Sequence, residues 1–374
     1  MKIIYFSLDY TPHDHRFLVA LAETEHEVFY VRLQRGARQT EDRSVPSKIE
    51  QVLWAGGRKP FEWKDLPHLA LNFRRLTRSI QPDLIHAGPI QTCGLLAALA
   101  GFRPLLTMSW GYDLLRDAER NWWLKQITHY VLHNTTAFTS DCETTCKKAI
   151  AFGMNPNHTI VFPWGVDLER FTPAATLRLR SGQARHSSPD FTLLCNRAWE
   201  PLYGVEVLAR AFVKAARQRP ELRLMLLGDG SQGNLLRQIL ADGNVMERVH
   251  FGGQVSQVEL PRYYQMADLY VSASHVDGSS VSLMEALASG LPALASDIPA
   301  NREWVTEGVN GWLFPDGDAD ALSAAILRAY DGRKNMANIG RAARLTAEAR
   351  ADWEKNFQKL LQAYELAIRI VHET

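Results

Sequence analysis

Residues 275–299 read HVDGSSVSLMEALASGLPALASDIP, and this stretch decides the fold. The residues just before it, 266–274 (MADLYVSAS), have the pattern of a short buried strand. Within the stretch, apolar residues recur at helical spacing over residues 281–288, and a Gly and a Pro follow soon after. The sequence therefore predicts a strand, a loop and a helix in succession, with Asp277 in the loop and Glu285 in the helix.

Asp277 and Glu285 lie eight positions apart, on either side of the predicted start of the helix. The residues between them bring free N–H groups and the positive end of the helix dipole into one gap: Gly278, Ser279, Ser280, Val281 and Ser282. We expect a phosphate to bind there, with a carboxylate on either side to accept hydrogen bonds from sugar or ribose hydroxyls. The alternative interpretation is a capped helix that carries two solvated acids.

Length and composition indicate the class of protein. A chain of 374 residues is long enough for two domains of ordinary size, each with its own core. The 42 Lys and Arg residues nearly balance the 41 Asp and Glu residues, so no strong positive field indicates a nucleic-acid partner. The first residues lack the pattern of a signal peptide, and no apolar stretch is long enough to span a membrane. We therefore expect a cytoplasmic protein.

The four cysteines are scattered along the chain, and only Cys142 and Cys146 lie close together, at the i, i+4 spacing of a helix. No second pair of Cys or His residues completes a zinc site. Such cysteines are typical of reduced packing residues in a cytosolic protein.

Apolar runs that predict strands alternate with helical stretches twice along the chain. In the first half these runs lie at residues 3–6, 27–31, 83–87, 104–108, 136–140 and 159–163. In the second half they lie at residues 191–195, 222–228, 248–253, 267–273, 292–296 and 311–314. The alternation predicts an α/β protein with two parallel sheets, each covered by helices on both faces.

The domain boundaries follow from the same pattern. We expect a first Rossmann-like domain over residues 1–171 and a polar linker or mobile loop over residues 172–190. A second Rossmann-like domain follows over residues 191–350, and a last helix over residues 351–374 crosses back to the first domain. Ligands in such sheets bind outside the carboxyl ends of the strands.

Several motifs of the second half occur in a fixed order: PWGVDLERFTP (163–173), LLGDGSQGN (226–234), DGSSVSLMEALASGLPALASDIPANREWV (277–305) and NGWLFPDGDADAL (310–322). Together they make the chain similar to the C-terminal half of the family 4 glycosyltransferases, which are retaining enzymes of the GT-B fold. The resemblance covers residues 160–332 strongly and the N-terminal half more loosely. It implies an α/β GT-B fold, in which two Rossmann-like domains with parallel sheets face each other across a deep cleft.

The resemblance implies a role for each acid. Glu285 matches the family's second acid, which accepts hydrogen bonds from the nucleotide ribose. Asp277 matches the first acid, which meets hydroxyls of the donor sugar, but its side chain is one methylene shorter. The shorter side chain is expected either to shift the preference among donors or to draw the loop inward.

The resemblance also implies how the diphosphate of the donor is bound. Arg197 matches an arginine that contacts the diphosphate, and the rigid fork of donors on a guanidinium suits that task. The family commonly adds a lysine just before the glycine that Gly204 matches, whereas this sequence has Leu202 and Tyr203 there. Neutralisation of the diphosphate is therefore expected to fall more heavily on Arg197 and on the helix N-terminus.

A glycine turn follows the second predicted strand of the second half. Its three residues match the family's turn near the nucleotide base: Gly228, Asp229 and Gly230. The sequence LGDG is also that of an ordinary turn, so both interpretations stay open.

In the N-terminal half, the resemblance places two segments at the cleft. The segment SWGYDLL (109–115) stands where the family often has His-Gly-x-Asp; Gly111 and Asp113 match, and Trp110 replaces the histidine. The loop after the first strand offers side chains suited to an anionic or polyhydroxyl acceptor: His13, His15 and Arg16. A metal at the two histidines has no clear third ligand.

The implied reaction moves a sugar from a nucleoside-diphosphate sugar to a saccharide, lipid-linked or small-molecule acceptor, with retention and with no bound metal or other cofactor. Arg197 and Asp277 are the candidate catalytic residues, and the departing diphosphate carries the developing charge. Two alternatives are a nucleotide-sugar epimerase of the same fold and a non-catalytic sugar-nucleotide-binding protein. A nicotinamide dehydrogenase is disfavoured because the turn after the first strand lacks G-x-G-x-x-G.

Aromatic and basic residues of the N-terminal half are candidates for a membrane-surface patch that serves a lipid-linked acceptor. They are Trp54, Lys59, Phe61, Trp63, Lys64, Arg74, Arg75 and Arg78. The alternative is that these are ordinary loop and helix residues. The predicted localisation therefore includes peripheral contact with the inner membrane face, and the oligomeric state is not predicted.

Overall fold

The computed structural model describes residues 1–36, 41, 43–173 and 190–373. The chain divides into two compact units. Unit 1 consists of Met1–Phe162 and Phe357–Thr374, and unit 2 consists of Pro163–Asn356. The expected linker at residues 172–190 lies mostly outside the described residues.

The first segment of unit 1 ends at Phe162 and not at residue 171. The residues that follow pack within unit 2. The N–H of Val166 donates to the carbonyl of Ala351 at 2.7 Å, and the Phe171 side chain is buried in a core cluster of unit 2. Residues 163–171 therefore belong to unit 2.

The sheet of unit 1 has seven strands among the described residues, in the order β3-β2-β1-β4-β5-β6-β7, and all neighbours are parallel. The strands are β1 Lys2–Ser7, β2 Glu27–Arg32, β3 Glu50–Gln51, β4 Leu84–Ala87, β5 Leu105–Met108, β6 Ala137–Ser140 and β7 Thr159–Val161. The helices between them are α1 Pro12–Ala22, α2 Leu66–Ile80, α3 Leu95–Ala100, α4 Tyr112–Leu115, α5 Trp122–Asn134 and α6 Glu143–Ala151.

The sheet of unit 2 has six strands among the described residues, in the order β10-β9-β8-β11-β12-β13, again all parallel. The strands are β8 Phe191–Cys195, β9 Leu222–Leu227, β10 Val249–Gly253, β11 Leu269–Ser272, β12 Ala293–Ser296 and β13 Gly311–Phe314. The helices are α7 Val205–Gln218, α8 Gly233–Asp242, α9 Leu260–Met266, α10 Val281–Ala288, α11 Pro299–Arg302, α12 Ala319–Asp331 and α13 Met336–Arg350.

Every strand that an apolar run predicts is present, within two residues of its expected ends. Central strands such as β4 and β12 are buried along their whole length, because helices cover both faces of each sheet. Strand β3 was not predicted. It consists of two exposed residues, Glu50 and Gln51, which have no apolar pattern to reveal them.

The last helix, α14 Trp353–Glu373, joins unit 1 from Phe357 onward. The hydroxyl of Tyr364 on this helix lies 2.9 Å from Nδ1 of His86, and both side chains are buried. Burial lowers the pKa of His86 to about 3, so the imidazole is neutral at physiological pH. A neutral hydrogen bond therefore joins the final helix to strand β4.

Candidate functional site

The loop between strand β11 and helix α10 carries most of the predicted site. Helix α10 begins at Val281, which is half-buried, and no side chain caps the helix. Glu285 is 2% exposed, and the Asp277 side chain is 15% exposed. The alternative of a capped helix with two solvated acids is therefore wrong, since both carboxylates are largely removed from water.

Arg197 lies in the loop after strand β8 and reaches the start of helix α10. Its Nη1 donates to the Oγ atoms of Ser280 at 2.8 Å and Ser282 at 3.1 Å, and its Nη2 lies 2.7 Å from Oδ2 of Asp277. The guanidinium carbon lies 4.2 Å from the ring centre of Tyr203, in cation–π geometry. The structure therefore brings the charged fork of Arg197 to a carboxylate and two serines that lie more than 75 positions later in the sequence.

The charges of this cluster depend on each other. Burial acts to lower the pKa of Arg197, but the neighbouring Asp277 carboxylate raises that pKa above its ordinary value, so the guanidinium stays charged. Burial raises the pKa of Asp277, and the Arg197 charge and the Gly278 N–H act in the opposite direction. A buried cation beside a helix N-terminus is a suitable environment for an anionic ligand.

Glu285 is oriented by a tyrosine that the sequence did not single out. The hydroxyl of Tyr264 donates to Oε2 of Glu285 at 2.8 Å and accepts a hydrogen bond from Asn196 Nδ2 at 2.8 Å. Burial, together with the Glu285 charge, raises the pKa of Tyr264, so the hydroxyl keeps its proton and remains a donor. The carboxylate is thereby fixed on the inner face of helix α10.

Two further aromatic residues hold the serines of the loop. Nε1 of Trp304 donates to Oγ of Ser279 at 2.9 Å, and the Tyr270 hydroxyl lies 2.8 Å from Oγ of Ser282. All four side chains belong to buried residues of unit 2. Sequence reasoning missed both aromatic residues, because nothing in the sequence around a Trp or Tyr indicates which polar atom its side chain will meet.

The predicted glycine turn packs against the loop that carries Arg197. The N–H of Trp199 donates to the Asp229 carbonyl at 3.0 Å. Gly228 has φ +107, and a Cβ atom on Gly230 would collide with the Trp199 carbonyl oxygen. The turn therefore supports the Arg197 loop, both if it lies near the nucleotide base and if it is an ordinary turn.

Gly204 closes the other side of this loop, and it gives a test of how tightly the site is packed. Gly204 has φ +56, and an added Cβ would collide with the carbonyl of Ala273. Gly308 has a similar φ of +72, but its Cβ would meet no atom within 4 Å. We expect Gly308→Ala to cost about 1 kcal/mol of stability for the left-handed backbone. We expect Gly204→Ala to cost a further ~1–3 kcal/mol for the clash.

Thermal or urea unfolding of the two variants measures this difference. Equal losses would show that the Ala273 segment moves aside without cost and that the loop is loosely packed.

In unit 1, the structure corrects the position of His13, His15 and Arg16. They lie on the first turns of helix α1 and not in a loop. The helix begins early because Thr11 and Asp14 form a capping box, in which each side chain binds the backbone N–H of the other. The ring centre of His13 lies 5.9 Å from that of Trp110, in edge geometry. Nδ1 of His15 lies 2.7 Å from the Tyr10 hydroxyl. The Arg16 side chain is half-buried.

Asp113 is buried and hydrogen-bonded within its own turn. Its Oδ1 accepts hydrogen bonds from Ser109 Oγ at 2.5 Å and from the N–H groups of Trp110 and Leu114 at 3.1 and 3.0 Å. The residue is 1% exposed, and burial raises its pKa to about 6 despite these bonds. Gly111, with φ +81, gives the turn its shape. These bonds give Asp113 a structural role in the turn, and its place at the cleft stays a prediction.

Of the residues in the predicted membrane patch, one is buried and two are paired with acids. Trp54 is 8% exposed and belongs to the core of unit 1. Lys59 pairs with Asp65 at 2.7 Å, and Lys64 pairs with Glu62 at 2.5 Å, so their charges are locally compensated. In the part of the chain that the structure describes, no helix is long and apolar enough to cross a membrane.

Among the described residues, no group of three or more His, Cys, Asp or Glu side chains is placed to hold a metal ion.

Comparison with known families agrees with the geometry. Residues 181–346 match the family described as glycosyl transferases group 1, and residues 2–142 match the family described as glycosyl transferase 4-like. The two matches follow one another along the chain and include every strand given above except β7. The chain is a family 4 glycosyltransferase-like protein.

This glycosyltransferase is similar to curated bacterial relatives. It is 29% identical to the amylovoran biosynthesis glycosyltransferase AmsK of Erwinia amylovora over 224 residues, which cover 58% of this chain and 53% of the relative. It is 24% identical to the GDP-mannose-dependent alpha-(1-6)-phosphatidylinositol monomannoside mannosyltransferase of Mycolicibacterium smegmatis over 364 residues, which cover 92% of each chain. The matched region therefore spans about half the length of the first relative and nearly all of the second.

Solved structures share the fold of the glycosyltransferase. Anabaena HepE in complex with UDP has a TM-score of 0.75 at 19% identity, and the match covers 98% of this chain and 100% of HepE. Sucrose-phosphate synthase from Thermosynechococcus elongatus has a TM-score of 0.80 at 20% identity, with 98% of each chain covered. At these identities the likeness shows the fold alone, and it confirms the expected GT-B class.

Proposed function

We propose that this protein transfers a sugar from a nucleoside-diphosphate sugar to an acceptor hydroxyl, with retention of configuration at the anomeric carbon. The observation that carries the proposal is the buried Arg197 fork, held by Ser280, Ser282 and Asp277 beside the start of helix α10. A diphosphate is the ligand whose charge and oxygen spacing such a fork matches.

The diphosphate would be bound by two sources of positive charge. Arg197 supplies a guanidinium that is held in place before the ligand arrives, and the first N–H groups of helix α10 have no acceptor within the helix. As the bond to the sugar breaks, negative charge grows on the departing diphosphate. Donors that are already oriented stabilise this charge without reorganisation, which lowers the barrier.

Asp277 has a dual task in this proposal. Its ion pair with Arg197 fixes the direction of the guanidinium, and its carboxylate stands where the family's first acid meets the hydroxyls of the donor sugar. The diphosphate oxygen on the face that the sugar leaves accepts the proton of the attacking hydroxyl. No protein base is assigned, and the positive charge of Arg197 and the helix takes the place of a metal ion.

The names of related proteins support a nucleotide-sugar donor but not one base. One curated relative is GDP-mannose-dependent, whereas HepE has been solved with UDP, with UDP-glucose, and with UDP and glucose. The donor is therefore proposed only as a nucleoside-diphosphate sugar. The residues around Arg197 do not specify the acceptor.

The test is stabilisation by nucleotides in the presence of EDTA. A cognate nucleoside diphosphate at 100 times its dissociation constant adds about 2.7 kcal/mol to the stability of the unit that binds it, and so raises its melting temperature. UDP, GDP and ADP are compared with the corresponding nucleosides, which lack the phosphates. Stabilisation by one diphosphate without metal supports the proposal.

Four outcomes would contradict parts of the proposal. If no diphosphate stabilises the protein, the site assignment fails. Stabilisation that requires added Mg²⁺ or Mn²⁺ contradicts metal independence. Binding of a full donor with no transfer to any acceptor supports the non-catalytic alternative, and conversion of the donor to an isomer without acceptor supports the epimerase.

A further inference from the structure

Tyr203 lies in the loop after strand β8, directly before Gly204, where the family commonly has a lysine. Its backbone is fixed on both sides. The carbonyl of Leu202 accepts the N–H of His275 at 3.0 Å, and Gly204 packs so closely on the carbonyl of Ala273 that a Cβ atom would not fit. The fold of unit 2 therefore sets the direction in which the Tyr203 side chain leaves the loop.

The Tyr203 ring forms one wall around the guanidinium of Arg197. The guanidinium carbon lies 4.2 Å from the ring centre, and the Arg197 side chain is 12% exposed. A cation over the face of an aromatic ring is attracted by the negative charge of that face, and the attraction grows where water is excluded. Because Arg197 is largely buried, its contact with the ring is of the stronger kind.

The other contacts of Arg197 hold its two outer nitrogens. Nη1 donates to Ser280 and Ser282, and Nη2 pairs with Asp277. The N–H groups of a guanidinium lie in its plane, so these bonds resist movement within that plane. The ring contacts the face of the group and resists its tilting out of the plane. The ring therefore supplies a restraint that the three hydrogen-bonding partners do not.

One nitrogen of Arg197 remains for a ligand. Nε is buried, and among the described residues it has no hydrogen-bond partner. A buried donor without an acceptor is costly, so its presence beside a helix N-terminus points to an acceptor on a ligand. An oxygen of the diphosphate would accept from Nε. This contact requires a fixed guanidinium, because Nε moves with every tilt of the group.

We infer that Tyr203 is a positioning residue of the donor site: its ring holds the Arg197 guanidinium in the orientation in which Nε faces the diphosphate. The inference rests on the proposed function, since it assigns a residue to the same site. It also accounts for a tyrosine where the resemblance implies a lysine. The ring adds no charge of its own, but it orients the guanidinium that is already there.

The experiment is calorimetry with UDP, GDP and ADP on the full chain, repeated on Tyr203 variants with the nucleotide that binds. Tyr203→Leu keeps an apolar side chain but removes the ring. It should weaken nucleotide binding at least ~10-fold, which is the scale of a cation–π contact away from water. Tyr203→Met is a second variant without a ring. Tyr203→Phe keeps the ring, so it should bind as tightly as the unaltered protein.

A double-mutant cycle tests the contact itself. Tyr203→Leu should lower the free energy of unfolding less in Arg197→Met than in the unaltered protein, because only the latter has a guanidinium against the ring. Urea unfolding of the four proteins measures this coupling without any nucleotide. Equal losses in both backgrounds would show that the ring does not hold the guanidinium, and would overturn the inference.

Tyr330 offers a matched control in the same unit. The guanidinium carbon of Arg333 lies 4.2 Å from the Tyr330 ring centre, the same distance as in the Arg197 pair. Tyr330 packs edge-on against Phe191, the first residue of β8, whereas Arg197 lies beyond the other end of that strand. Tyr330→Leu should therefore lower the melting temperature and leave nucleotide affinity unchanged.

The inference is overturned if Tyr203→Leu and Tyr203→Met bind the nucleotide normally, if Tyr203→Phe binds as weakly as they do, or if Tyr330→Leu loses as much affinity. In each of these cases the unaltered protein still binds a nucleoside diphosphate, so the proposed function stands. If the unaltered protein binds none of the three nucleotides, the proposed function fails and the inference fails with it.

Discussion

Arg197→Met should weaken the binding of the cognate nucleoside diphosphate by at least ~100-fold, because two charge-assisted hydrogen bonds of about 1.5–3 kcal/mol each are lost. The same change should lower the stability of unit 2. It leaves the Asp277 carboxylate buried beside Ser280 and Ser282 with no cation, and breaking a buried ion pair in this way costs about 3–5 kcal/mol. Calorimetry and thermal unfolding measure the two effects.

A second variant separates binding from folding. Arg197→Met combined with Asp277→Asn removes both charges, so much of the lost stability should return while nucleotide binding stays weak. Arg197→Lys keeps the charge but loses the fork and the stacking on Tyr203. Its nucleotide affinity should therefore lie between that of the unaltered protein and that of Arg197→Met. If the double variant binds nucleotide normally, Arg197 has only a structural role.

Glu285→Gln should weaken nucleotide binding by about 1.5–3 kcal/mol, which is roughly tenfold to over a hundredfold. The amide oxygen still accepts the Tyr264 hydroxyl, which lies 2.8 Å from the carboxylate, so the fold of helix α10 should be kept. What is lost is the charge that accepts hydrogen bonds from ribose hydroxyls.

A ribose analogue makes this test specific. A 2′,3′-dideoxynucleoside diphosphate should bind the unaltered protein more weakly than the natural nucleotide, and Glu285→Gln should show little difference between the two ligands. Tyr264→Phe serves as the control, because it removes the hydroxyl that orients Glu285 but keeps the negative charge of the carboxylate. A full penalty for the analogue in Glu285→Gln would assign the ribose contact to another group.

The strands could be predicted because the physical cause lies in the sequence itself. In a parallel sheet that helices cover on both faces, every position of a central strand is buried, so a continuous apolar run such as residues 292–296 is a direct sign of it. The loop and helix at residues 277–288 were predictable for a similar reason, since glycine, serines and a helical apolar pattern follow one another.

Side-chain partners could not be predicted, because they depend on contacts between distant segments. Asp277 and Arg197 are separated by 80 positions, and nothing local shows that the guanidinium reaches the carboxylate. Asp113 matched a family motif, yet its bonds to Ser109 and the neighbouring backbone show that it braces the turn. The helical position of His13 was the exception, since Thr11 and Asp14 form a capping pattern that the sequence does contain.

The chain enters unit 2 after Phe162 and returns to unit 1 at Phe357, so in the gene the second unit is an insertion within the first. A hybrid protein made with a single crossover would join the sheet of one parent to the final helix of the other. The Tyr364 hydroxyl and the His86 imidazole would then come from different sequences and would have to match in a buried interface. Exchange of unit 2 between relatives therefore calls for two crossovers, one on each side of it, so that Met1–Phe162 and the final helix come from the same parent.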